Sequence, residues 1–247
     1  MTTWPYPRIV AHRGGGKLAP ENTLAGIDTG ARLGLKMIEF DAKLSADDVV
    51  FLLHDDLVDR TSDGHGPAAR MTYAQLRALD AGSWFGATYA GATMPTLSEV
   101  AKRCFEKDLA ANIEIKPCDG RDAKTGRLVA EEAARLWADA GRAPLMSSFS
   151  YAALEAAAKA APELPRGMLY ETIPDDWRAQ TAALHCISMH VDHRQLDERR
   201  VGEIRASGLR ILAYTVNDPQ RARRLAEWGV DAICTDRIDV IGADFLG

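Results

Sequence analysis

Met37-Ile38-Glu39-Phe40-Asp41-Ala42-Lys43-Leu44, then Ser45-Ala46-Asp47-Asp48, then Val49-Val50-Phe51-Leu52-Leu53-His54, is the stretch whose pairing settles the architecture. Two short apolar runs of β type flank a polar, Asp-rich break, which reads as strand, turn, strand. Only about seven residues separate the candidate strands at 37–42 and 49–54, whereas a parallel crossover needs roughly a dozen. The second strand is therefore expected to return antiparallel. With a turn at Ala46-Asp47, position 45 pairs with 48 and Glu39 lies opposite His54. Partners across a ladder share a face, as do residues two apart, so Glu39, Asp41 and His54 are expected to point the same way.

Outside this hairpin, short β-rich runs alternate with helical patterns, as in a parallel sheet joined by crossover helices. The other candidate strands are 8–12, 111–115, 145–148, 167–171, 186–190, 209–215 and 231–234. With 49–54 set aside as the hairpin's return, eight strands remain, the number of a TIM-type (β/α)8 barrel. The 247 residues suit one such domain without a second. Helices are legible where capping chemistry shows. Thr96-Leu97-Ser98-Glu99 is a capping box, and Asp218-Pro219 places a cap and a first-turn proline before a helix that Gly229 closes. Residues 127–140 carry Leu128, Val129, Leu136 and Trp137 along one side, and 72–79 reads as a short helix. The segment 55–95 breaks the alternation with turn-rich and Gly-punctuated sequence, and is expected to be a small insertion.

Chemistry collects near the N-terminus. His12-Arg13-Gly14-Gly15-Gly16, Pro20-Glu21-Asn22, Glu39-Phe40-Asp41 and His54-Asp55 fall within about 45 residues, each at or near the end of a strand-type run. In barrels of this class the active site lies at the C-terminal ends of the strands. Glu114, Lys116 and Ser147-Ser148 fall at such ends as well. Several carboxylates brought together repel unless a cation sits among them, and an all-oxygen donor set suits a hard ion such as Mg2+ or Ca2+. His12 and His54 flank those carboxylates, and imidazoles serve best where one proton must be taken and another given. Arg13 can grip a phosphate through two parallel hydrogen bonds, with Lys116 adding a point charge. Glu21 and Asp55 could orient Arg13 or the histidines. The glycines lack nucleotide-binding spacing and read as a tight exit from the first strand.

The string His-Arg, Glu-Asn, Glu-x-Asp, His-Asp, together with Asn112-Ile113-Glu114-Ile115-Lys116-Pro117 and Gly229-Val230-Asp231-Ala232-Ile233-Cys234-Thr235-Asp236, closely resembles the motifs of the glycerophosphodiester phosphodiesterases. The similarity runs from about Trp4 to Asp236 and is strongest to the cytosolic bacterial branch associated with glycerol 3-phosphate uptake. The resemblance implies a phospholipase-C-like TIM barrel whose insertion caps the mouth. Its metal would be held by Glu39, Asp41 and Glu114, its acid and base would be His12 and His54, and Arg13 and Lys116 would belong to its phosphate site. The implied reaction is hydrolysis of a deacylated phospholipid to sn-glycerol 3-phosphate and an alcohol, with either water or the glycerol 2-hydroxyl attacking. Trp84, Phe85 and Tyr214 are the candidate contacts for the departing alcohol. Tyr214 stands where the family often has Trp, and Cys118 has no evident role. Two other readings stand beside this one: a barrel that binds glycerophosphodiesters without cleaving them, and another metal-dependent barrel of isomerase or aldolase type.

Composition narrows the partners. A net charge of −5, 26% charged and 47% hydrophobic residues describe an ordinary globular domain with no basic field for nucleic acid or an anionic membrane. No apolar run approaches the roughly 18–20 residues of a membrane span, and no signal-peptide pattern opens the chain, so a cytoplasmic location is expected. The scattered cysteines at 104, 118, 186 and 234 read as reduced packing thiols. Oligomeric state leaves no trace in the sequence.

Overall fold

The computed structural model describes residues 4–247. The strands are β1 (Ile9–Ala11), β2 (Met37–Leu44), β3 (Val50–Leu52), β4 (Ala110–Ile115), β5 (Leu145–Ser148), β6 (Arg166–Tyr170), β7 (Ser188–Asp192), β8 (Arg210–Tyr214) and β9 (Ala232–Thr235). All nine expected strands are present. Eight of them run parallel in the ring β1-β2-β4-β5-β6-β7-β8-β9, and β9 pairs back onto β1 to close it. The closed ring removes the sheet edges and makes the chain a TIM (β/α)8 barrel. β3 is the exception, antiparallel to β2 and outside the ring.

β2 shows how the ring is lined. Ile38, Phe40, Ala42 and Leu44 pack into the large cluster between sheet and helices. Met37, with Val10, Leu145, Leu212, Ala232 and Cys234 from other strands, fills the barrel interior. Period-2 alternation therefore sends Glu39 and Asp41 inward as well. Inside the described residues no helix is long and apolar enough to cross a membrane.

The hairpin is present, but its register differs from the expected one. Leu44 pairs with Val50 and Ala42 with Leu52. The loop is three residues long, because Ser45 N–H donates to Val49 O at 3.1 Å and Asp48 takes a left-handed φ of 64°. Asp tolerates that conformation, so a type I turn followed by a left-handed residue replaces the two-residue turn. One extra residue flips the alternation: Val50 and Leu52 face the helices, and a straight continuation would send His54 the same way. His54 instead reaches the barrel mouth because the ladder ends at Leu53, whose N–H donates to Asp41 O at 3.1 Å, and the chain bends at His54.

Helix α1 (Leu24–Arg32) follows the first strand with Thr23 as its cap. Both halves of the Thr96–Glu99 capping box are made at the start of α3 (Leu97–Lys107). Asp218 accepts from Gln220 and Arg221 N–H ahead of α8 (Pro219–Trp228), which ends at a left-handed Gly229. The helix expected over 127–140 runs from Asp122 to Leu136 as α4, five residues earlier than its apolar stripe suggests. Residues 55–95 carry their own hydrophobic cluster, in which Phe51 and Leu53 meet Val58, Ala68, Leu76, Ala81 and Met94. A short helix α2 (Tyr73–Arg77) lies within it, two residues shorter than its expected end at 79. The cysteines are free, three buried and Cys186 partly so.

Candidate active site

β1 ends where the chain must turn sharply over β9. Gly14 and Gly16 adopt φ of 86° and 55°, and a Cβ on Gly16 would lie 2.3 Å from Asp236 O. Only glycine fits that approach. The turn leaves His12 at the barrel mouth with Nδ1 2.7 Å from Asp236 Oδ1 and Nε2 4.0 Å from Glu39 Oε2. Burial alone would lower the His12 pKa, but the Asp236 hydrogen bond and the Glu39 charge outweigh it and hold it above the ordinary value.

Glu39 and Asp41 point inward from β2, and Glu114 from β4, where it pairs with Asp41 across the sheet. Each offers an oxygen, and these oxygens lie within 4.8 Å of one another. All three side chains are buried. Burial and the neighbouring Asp41 charge raise the pKa of both Glu39 and Glu114. For Asp41, burial works in the same direction, but Arg13 and Lys116 overcome it and the net shift is downward. Asn22 orients Asp41 by donating Nδ2–H to Oδ2 at 2.8 Å while its Oδ1 accepts the Asp41 N–H at 3.0 Å. Glu39 Oε2 accepts from Arg13 N–H at 2.9 Å, yet its buried Oε1 has no partner. Two cations facing three buried carboxylates leave negative charge over. Together with the orphaned oxygen and the all-carboxylate donor set, this fits a hard divalent cation held by Glu39, Asp41 and Glu114.

His54 completes the mouth. Its Nδ1 lies 2.7 Å from Asp55 Oδ1 and its Nε2 2.8 Å from Lys116 Nζ. Burial and the Arg13 and Lys116 charges together lower its pKa against the pull of Asp41 and Asp55. Lys116 also donates to Glu114 Oε1 at 3.0 Å. Arg13 donates to Glu21 Oε1 at 2.8 Å and keeps its Nε 3.6 Å from Asp41 Oδ2. Arg60, from the insertion, bridges Glu21 and Asp55 with contacts of 2.6–2.8 Å. The insertion is thereby tied to the partners of both Arg13 and His54.

The structure thus brings His12, His54, Glu39, Asp41, Glu114, Arg13 and Lys116 into one centre. The three aromatics do not share one place. Trp84 and Phe85 line an open cleft with Lys17 and Arg60 on one side of His12. Tyr214 stands across the mouth, edge-to-face with Phe149 at 5.8 Å, in the cavity that holds His54 and Lys116. Phe149, Asn22, Arg60 and Asp236 are site residues that the sequence reading passed over. Of these, Asn22, just ahead of α1, and Asp236, just after β9, lie within the motif strings, though without a role. Lys43 and Cys118 share a further cluster, with Lys43 Nζ 2.7 Å from Asp56 Oδ1 and 3.7 Å from Cys118 Sγ. It lies beside the centre without lining its cavity.

Fold and site together define an α/β barrel whose mouth gathers two histidines, three carboxylates and two cationic side chains. Residues 12–240 match the Glycerophosphoryl diester phosphodiesterase family, and the chain belongs to that family. It is 35% identical over 243 residues to YhdW of Bacillus subtilis, covering 96% of this chain and 97% of that protein. To the glycerophosphodiester phosphodiesterase of Caldanaerobacter subterraneus it is 32% identical over 233 residues, or 92% and 93% of the two chains. An Oleispira antarctica phosphodiesterase, solved in complex with the product sn-glycerol-3-phosphate, superposes with a TM-score of 0.88 at 35% identity, covering 94% and 93% of the two chains. The chain is accordingly a glycerophosphodiester phosphodiesterase.

Proposed function

We propose that His12 and His54 are the proton-transfer pair for hydrolysis of water-soluble glycerophosphodiesters to sn-glycerol 3-phosphate and an alcohol, beside Mg2+ or Ca2+ held by Glu39, Asp41 and Glu114. The observation that carries this reading is the pairing of each imidazole with its own aspartate at 2.7 Å. Asp236 and Asp55 hold each ring with Nδ1 as donor, which turns both Nε2 atoms toward the shared cavity. One Nε2 then takes a proton from the attacking hydroxyl and the other gives one to the departing alkoxide. The same two roles serve direct attack by water; attack by the glycerol 2-hydroxyl would expel the alcohol and leave a cyclic phosphate, which water then opens to sn-glycerol 3-phosphate with the two roles exchanged.

When bound, the cation supplies Lewis-acid polarisation of a phosphoryl oxygen. The chain's own charges do the rest of the positioning. Arg13 and Lys116 flank the carboxylates and would meet the phosphate from two directions. Arg60 keeps Glu21 and Asp55 in place, so Arg13 and His54 are oriented before substrate arrives. Trp84 and Phe85 on one side, and Tyr214 on the other, offer apolar walls to the departing alcohol. We place the whole chain in one barrel domain with 55–95 as a cap over the mouth, acting in the cytoplasm with no nucleic-acid or membrane partner. The net charge of −5 supports the last point.

The test is release of sn-glycerol 3-phosphate from glycerophosphocholine by the metal-loaded protein, read by a coupled dehydrogenase. Turnover that needs both His12 and His54 is expected. Binding without turnover would mean the barrel only captures its ligand. Borohydride trapping of a Lys116 adduct would point to aldolase chemistry instead.

A further inference from the structure

Lys43 follows Glu39 and Asp41 along the same face of β2. Its side chain is only 1% exposed, an uncommon place for an ammonium, and it lies outside the catalytic cavity. Nζ donates to Asp56 Oδ1 at 2.7 Å and to the carbonyl oxygen of Lys116 at 3.4 Å, with Cys118 Sγ at 3.7 Å. Asp56 stands two residues after His54 and one after Asp55, the partner of the His54 ring. The Lys116 carbonyl belongs to the residue whose Nζ lies 2.8 Å from His54 Nε2 and 3.0 Å from Glu114 Oε1. One buried ammonium therefore joins the two segments that carry His54 and Lys116.

Stability does not account for a charge in this place. Taking an ammonium out of water is costly, and Asp56 compensates poorly because its side chain is 61% exposed. Buried ion pairs exchanged for well-packed apolar groups are often neutral or stabilising, so an apolar chain of the same length would serve the fold at least as well. What the ammonium adds is a fixed link. Beyond Leu53, whose N–H makes the last ladder bond to Asp41 O at 3.1 Å, the chain leaves β2, and Lys43 ties it back at Asp56. Lys116 N–H is already fixed to Ala42 O at 2.9 Å, and the bond to its carbonyl holds the other side of that residue.

We propose that Lys43 is a positioning residue, whose ammonium clamps the turn carrying His54 to the segment carrying Lys116 and so sets where His54 Nε2 meets the substrate. This rests on the proton-transfer role given to His54. Arg13 and the carboxylate site lie off the clamp, so substrate binding should survive its loss better than proton transfer, which a displacement of about 1 Å can slow by about 10²-fold.

Steady-state kinetics on glycerophosphocholine with the metal-loaded full-length protein, run beside urea unfolding, tests the clamp. Lys43→Met keeps an unbranched chain of similar length without the charge, and Asp56→Ala removes the exposed partner. Each should lower kcat at least about tenfold with KM within about threefold, while the urea midpoint shows the variant fully folded under assay conditions. Because both residues act through one link, Lys43→Met/Asp56→Ala should lose no more than about threefold beyond the larger single loss. A kcat loss smaller than about tenfold in either folded variant overturns the proposal. So do single losses that multiply in the double variant, or a rise in KM at unchanged kcat. If Lys43→Met does not fold, the kcat of Asp56→Ala decides alone. Failure of the His54 assignment itself would appear elsewhere, as near-normal turnover in His54→Ala.

Discussion

Replacing Asp236 with Asn tests the contact that the proposed mechanism gives His12. Asp236 Oδ1 lies 2.7 Å from His12 Nδ1, and its Oδ2 accepts from Asn217 Nδ2 at 2.8 Å. Burial would raise its pKa, but these hydrogen bonds and the His12 charge lower it from 3.8 to about 2. The side chain is 19% exposed, so solvent screens the effect only partly. A shift of roughly two units corresponds to about 2 kcal/mol. Because the folded pKa lies below the unfolded one, this stability is fully present above about pH 5. It is lost as pH falls through about 2, with roughly half gone by pH 3. Urea unfolding of wild-type and Asp236→Asn protein should therefore differ by about 2 kcal/mol at pH 7, and by roughly half that at pH 3. An amide can donate to Nδ1 and so favours the other His12 tautomer, which should lower kcat by about 10²-fold or more. A stability difference that is the same at both pH values, or a kcat within about threefold of wild type, would refute the role given to Asp236.

His12→Ala and His54→Ala should each lower kcat by at least about 10²-fold, and the wild-type rate should follow a bell-shaped pH profile whose two limbs belong to the coupled pair; near-normal turnover in either variant contradicts the assignment. Arg60 is half-exposed, so Arg60→Ala should change urea stability by less than about 1 kcal/mol, while loosening Glu21 and Asp55 enough to raise KM measurably. Gly167→Ala should destabilise the fold by about 1–3 kcal/mol, since the added methyl meets His190 and Ser188; an unchanged urea midpoint would show that the interior has slack. Glycerophosphocholine, glycerophosphoethanolamine and glycerophosphoglycerol should have kcat/KM values within about two decades of each other, because the clefts beside Trp84 and Tyr214 are open, and intact diacyl phospholipid should not be cleaved. A much stronger preference in steady-state kinetics would mean that one cleft is a dedicated head-group pocket.

The ring of strands was legible because each strand carries its own apolar run, and the odd ninth was recognised because its connection is too short for a crossover. Register was not legible. Whether Asp48 joins the turn or the ladder depends on one left-handed residue, and that choice flips the facing of every residue after it. His54 was expected in the centre by alternation and reaches it through a bend instead. α4 starts five residues ahead of its apolar stripe, and Thr125 and Gly126 lie in that first part of it. They are buried because α4 lies against α5 (Tyr151–Ala160), and a Cβ on Gly126 would sit 1.9 Å from Ala153 O. At the site, the carboxylates and histidines stood out because charged groups at strand ends are few. Asp236 becomes their neighbour only when β9 closes on β1, and Arg60 only when its side chain meets Glu21 and Asp55. Those contacts belong to tertiary structure, and no local pattern encodes them. His190 lies in no motif of the sequence, yet it is buried and lines the cavity.

Metal dependence lies at the centre of the account, and chelation followed by metal restoration tests it most directly. Glycerophosphocholine hydrolysis and melting temperature should be followed on one sample before chelation, after it, and after adding back Mg2+ or Ca2+. The account predicts that chelation abolishes release of sn-glycerol 3-phosphate and lowers the melting temperature, because an ion bound only by the folded state stabilises it. Both should return with the metal, and neither should return in Glu39→Ala or Glu114→Ala. Full turnover in thoroughly chelated enzyme would contradict the account.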